Sequence, residues 1–70
     1  MTMKTLITVT AHAYSGSTIA YPERRYSFVR PRSASTPTYA GAARMVAAEL
    51  GCRPSDVSVA RVEAVAYATR

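Results

Sequence analysis

Seventy residues, one cysteine and a formal net charge of +5 bound the chain first: one small domain over residues 1–70, with no internal disulfide and no Cys-rich zinc site. No run approaches the roughly 18 apolar residues of a membrane span, and a chain this short buries only about 60% of its unfolded surface. The charge comes from eight arginines and one lysine against four acids, which favours nucleic acid or an acidic protein surface as partner.

Residues 5–14 are predicted to form a first, central strand. Ile7, Val9, Ala11 and Ala13 alternate with Thr8, Thr10 and His12, the period of a half-buried strand. His12 falls on its polar face. Lys4, the short apolar run Leu6–Val9 and Ala11-His12-Ala13 faintly imitate a signal peptide. Threonines interrupt the run, however, and cleavage would remove the best strand, so the expectation is a cytoplasmic chain. Ser15-Gly16-Ser17 reads as a turn. Ile19, Ala20 and Tyr21 either extend the hairpin or belong to a long loop, with Pro22-Glu23 an end or an edge bulge.

The second strand is predicted over about 24–30, with Tyr26 and Phe28 on the face under the helix and Arg25, Ser27 and Val29 on the other. Pro31 to Pro37 is an aperiodic loop. A helix is predicted over 37–50, with Ser35 or Thr36 as N-cap and Pro37 at its first position. Gly51 is its left-handed stop, Cys52 packs back on the last turn, and Pro54 forbids continuation. Tyr39, Ala42, Ala43, Val46 and Leu50 make the stripe expected to face the sheet. The opposite face, Gly41, Arg44, Met45 and Ala48, carries little charge, which suits either a plain Ala-rich helix or contact with a partner or a second copy.

Arg53-Pro54-Ser55-Asp56 reads as a tight turn, and residues 57–67 as the last strand. Its pattern has a phase fault: Val57 and Val59 are in one phase, Val62, Ala64 and Ala66 in the other. Either a bulge near Ala60-Arg61 restores the phase or both faces are covered. The sum is an α+β fold, a single ββαβ domain with a three-stranded, mostly antiparallel sheet of order 2-1-3 and one helix on one face.

No nucleophile elbow, Gly-rich phosphate loop or spaced pair of acids is present, so neither catalysis nor a cofactor nor a metal is expected. The strongest local feature is Arg24-Arg25-Tyr26-Ser27-Phe28-Val29-Arg30-Pro31-Arg32. Arg24, Arg25, Arg30 and Arg32 can hold phosphates or an acidic protein surface, or can act as a charged edge that blocks aggregation. Tyr14, Tyr21 and Tyr67, near strand ends, are candidate contact residues. Met45, with Gly41 and Ala48, is the candidate contact on the helix, including for a homodimer.

The run Ala42-Ala43-Arg44-Met45-Val46-Ala47-Ala48-Glu49-Leu50-Gly51-Cys52-Arg53-Pro54-Ser55-Asp56-Val57-Ser58-Val59 resembles the small single-domain proteins of phages and mobile elements. In size and strand–strand–helix–strand layout the chain is similar to some anti-CRISPR proteins. That resemblance implies a non-enzymatic inhibitor that docks on a CRISPR effector in the host cytoplasm and blocks nucleic-acid access or nuclease recruitment. Several such inhibitors are acidic DNA mimics. A basic chain departs from that pattern, so docking on an acidic protein surface or a nucleoprotein complex is expected instead, with direct DNA or RNA binding as the alternative.

Overall fold

Thr2 to Ser15 form one long strand, β1, in the computed structural model, which describes residues 2–69. β2 (Thr18–Arg30), helix α1 (Tyr39–Leu50), a 3-10 turn (Pro54–Asp56) and β3 (Val57–Thr69) follow. β1 lies between β2 and β3 and is antiparallel to both, giving the expected order β2-β1-β3. The alternation in β1 sets the layers. Thr5, Ile7, Val9, Ala11 and Ala13 are all buried on the helix side, while Leu6, Thr8, Thr10 and His12 look away from it. Among the described residues no helix is long and apolar enough to cross a membrane.

The phase fault in β3 is resolved by a bulge. Thr10 stands opposite Arg61 but Ala11 stands opposite Val59, so Ala60 is an extra residue. Val57, Val59, Val62 and Ala64 thereby all pack on one core. The Tyr39 hydroxyl donates to the Ala60 carbonyl at 3.3 Å and so occupies an acceptor at the bulge.

β2 departs from expectation. The hairpin loop is not long: Gly16-Ser17 closes it, with Gly16 at φ 66, and the strand runs from Thr18 rather than from Arg24. Two register shifts, between Ala11↔Arg24 and Ala13↔Tyr21 and between that pair and Tyr14↔Ile19, place extra residues on β2. Pro22 is tolerated because β2 is an edge strand, where a missing N–H facing solvent removes no ladder bond.

The helix begins two residues later than predicted. Thr38, not Ser35 or Thr36, is the cap; its Oγ1 accepts from the Gly41 amide at 3.0 Å. Pro37 therefore precedes the cap rather than opening the helix. Gly51 at φ 74 ends it as expected, and the Gly51 and Cys52 amides both donate to the Ala47 carbonyl, at 2.8 and 3.0 Å.

The apolar stripe is largely as predicted, with Ala42, Val46 and Leu50 on the core and Tyr39 the exception. Ala42, Val46 and Ala47 are the buried helix residues, whereas Tyr39, assigned to the core from its spacing, is 56% exposed. Tyr39 opens the helix and leans to the β3 bulge instead of down onto the sheet. The reason lies in placement: α1 sits over β1 and β3, not over β2. Alanines at 42 and 47 let the helix come close to the sheet, and the half of the face carried by β2 is left partly open.

That offset leaves Tyr26 buried but imperfectly served. Its ring lies under the Arg24 guanidinium, 5.1 Å from the ring centroid, and its hydroxyl is buried without a protein partner. An unpaired buried hydroxyl costs about 1–3 kcal/mol. Tyr26→Phe is therefore expected to raise stability by about 1 kcal/mol in denaturant unfolding; a loss of 1 kcal/mol would show that the hydroxyl is satisfied.

Candidate partner-binding groove

The groove follows directly from the offset of the helix. One wall is the helix face Gly41, Arg44, Met45 and Ala48. The other is built by Arg30 and the loop residues Ala34, Ser35 and Pro37, and Ile7 contributes to the lining from β1. Its volume is about 550 Å³, within the usual range for binding clefts. A smaller extension of about 260 Å³ shares Arg30, Met45 and Ala48 and adds Phe28 and Glu49. The larger part contains two arginines and no acid.

A buried threonine holds the loop wall. The Thr5 Oγ1 donates to the Arg32 carbonyl at 2.9 Å and accepts from the Ala34 amide at 2.9 Å. One hydroxyl thus pairs a carbonyl and an amide that lie outside any ladder. Thr5→Val keeps the shape and removes both bonds. We expect it to cost about 2 kcal/mol and to speed hydrogen exchange at Ala34. Wild-type exchange at that amide would show that the loop is held otherwise.

The two arginines are free to act on a ligand. Among the described residues the ion pairs are Arg53 with Asp56, at 3.3 Å, and Arg61 with Glu63, at 2.8 Å. Neither Arg30, which is half-buried, nor Arg44, which is exposed, takes part. Arg30 lies beside apolar walls, and a carboxylate seated there would meet two guanidinium groups outside those ion pairs, both able to donate charge-assisted hydrogen bonds.

The structure divides the residues singled out in the sequence. Arg30 and Met45 meet in the groove. Arg24 is on the same side of β2 but lies over Tyr26, six residues along the strand. Arg25 is on the opposite face, next to Thr10, whose other neighbour is Arg61. Arg32 is exposed in the loop, with its carbonyl held by Thr5. Tyr21 is exposed toward the hairpin end, as Tyr14 is. His12, on the face away from the helix, contacts the Tyr14 hydroxyl through Nε2 at 3.1 Å. Sequence reasoning placed Arg44 on the low-charge helix face but did not pair it with Arg30, and it missed Ala34, Ser35, Pro37 and Ile7. Only the lateral shift of the helix brings these together. Comparison with protein-family models, curated proteins and solved structures finds no match.

Proposed function

We propose that this chain is a non-enzymatic docking protein whose groove takes an acidic segment of a partner protein, with an apolar side chain of that segment against Met45 and Ala48. The observation that carries the reading is the pairing of Arg30 and Arg44, both outside any ion pair among the described residues, across an apolar groove whose larger part has no acid in its lining. Charge complementarity of this kind supplies orientation and on-rate, and the apolar floor supplies burial.

The resemblance to anti-CRISPR proteins gives the proposal its class of partner, a nucleoprotein effector in the host cytoplasm whose protein surface carries such a segment. Nucleic acid is the less favoured target. Tyr26 and Phe28, the rings within the arginine-rich strand, pack in or against the core and are not free to stack on bases. Arg25 also points away from Arg24 and Arg30.

Selection from a random-peptide display library on immobilised chain tests the reading. Enrichment of sequences combining Asp or Glu with Leu, Phe or Met is the expected result, lost when Arg30 and Arg44 are reversed. Enrichment of basic or charge-neutral sequences contradicts it. A salt series of anisotropy measurements with single- and double-stranded DNA gives the competing outcome: binding with a log–log slope of about −3 on duplex, lost in the arginine reversals, would make the chain a nucleic-acid module.

A further inference from the structure

The two edges of the sheet are unlike. β2 carries Pro22 together with Arg24, Arg25 and Arg30, the usual means of keeping a second sheet away. β3 is guarded over only half its length. The bulge at Ala60, the Tyr39 hydroxyl on the Ala60 carbonyl, and the Arg61–Glu63 pair protect the first half. Beyond Glu63 the segment Ala64-Val65-Ala66-Tyr67-Ala68-Thr69 has no charge, no proline, no glycine and no bulge against β1. Its outward side chains are apolar and open, Val65 at 60% and Tyr67 at 37% exposure. Val65 also continues a cross-strand row with Leu6 and Val29 on the sheet face away from the helix.

We propose that this half of β3 pairs antiparallel with the same segment of a second copy, about a two-fold axis at Ala66, to give a continuous six-stranded sheet with both helices on one side. The segment is complementary to itself in that register. Val65 faces Tyr67 of the other copy twice, an aromatic–aliphatic pair of the kind that stabilises sheets. On the helix side only alanines meet: Ala66 with its own copy, Ala64 with Ala68. Electrostatics selects this patch. A chain of charge +5 repels its copy over most of its surface, and here no charge is brought opposite a like charge. Glu63 faces Thr69, whereas a register centred on Glu63 would oppose two carboxylates. β2 lies at the far edge of each copy, so both grooves stay open and the dimer presents two docking sites.

The interface is small, in the class below about 1,200 Å² that gives weak, reversible dimers. Sedimentation equilibrium between about 10 µM and 1 mM is therefore the direct test. The expected result is an average mass rising from 7.5 kDa toward twice that value. Val65→Lys with Tyr67→Lys, which sets lysine against lysine, should hold the chain at monomer mass with unchanged circular dichroism. Val65→Lys with Tyr67→Glu, which sets lysine against glutamate, should restore the dimer. In a Cys52→Ser background, Ala66→Cys should oxidise to a disulfide dimer faster than Ser27→Cys on the far strand. A chain monomeric at 1 mM, a double-lysine variant that dimerises like the wild type, or equal crosslinking at positions 66 and 27 would overturn the proposal.

Discussion

Reversing Arg30 and Arg44 together to glutamate is expected to lower affinity for an acidic, apolar peptide by about 100-fold or more, while leaving the fold intact. Two charge-assisted hydrogen bonds are lost, each worth about 1.5–3 kcal/mol when the donor is charged, and like-charge contacts replace them. Fluorescence anisotropy with a display-selected peptide measures the effect. Thermal unfolding is the control: both side chains lie outside any ion pair among the described residues, so the melting temperature should move by no more than a few degrees. Because the groove is partly apolar, the single reversals should each retain part of the binding. Equal affinity in the double reversal would move the docking site off this groove.

Ile7→Ala is expected to have the largest effect on stability. Ile7 is 2% exposed, stands between Phe28 on β2 and Ala64 on β3, and also lines the groove. Truncating a buried isoleucine to alanine costs about 2–5 kcal/mol, the upper part of the range applying where neighbours cannot close in. A ladder partner as short as Ala64 and an alanine-rich helix leave little side chain to fill the space. Domains of this size have total stability of roughly 4–10 kcal/mol, so the substitution removes a large fraction. A fall in melting temperature of roughly 15–40 °C is expected, read by circular dichroism. A loss below 1 kcal/mol would mean that the groove already hydrates this position in the wild type. Val29→Ala, at a 52% exposed site on the other face, should change stability little.

Much of this architecture was legible in residue order. The alternation Ile7–Ala13 marked the central strand, Gly51 marked the helix stop, and the broken phase between Val59 and Val62 left two readings, of which the bulge near Ala60-Arg61 is the one observed. These are local signals, carried by period and backbone conformation. Pro22-Glu23 read as either an end or an edge bulge, and the register shift between Arg24 and Tyr21 on an edge strand makes it the bulge. Where the reading erred, tertiary placement decided. Tyr39 fits the helical stripe by spacing, yet a helix seated over β1 and β3 puts it at the rim. The candidate site was legible only as two separate halves, arginines on β2 and a low-charge helix face. No periodicity in one chain states how far a helix sits to one side of its sheet, and that offset makes Arg30, Arg44 and Met45 neighbours.

Nuclear magnetic resonance mapping of a display-selected acidic peptide onto the ¹⁵N-labelled chain decides whether the groove is the docking site. The largest shifts are expected on Arg30, Ala34, Gly41, Arg44, Met45 and Ala48, with the open face around Thr10, Arg25 and Arg61 unmoved. Shifts concentrated on that open face, or a peptide that binds without perturbing the groove, would contradict that expectation.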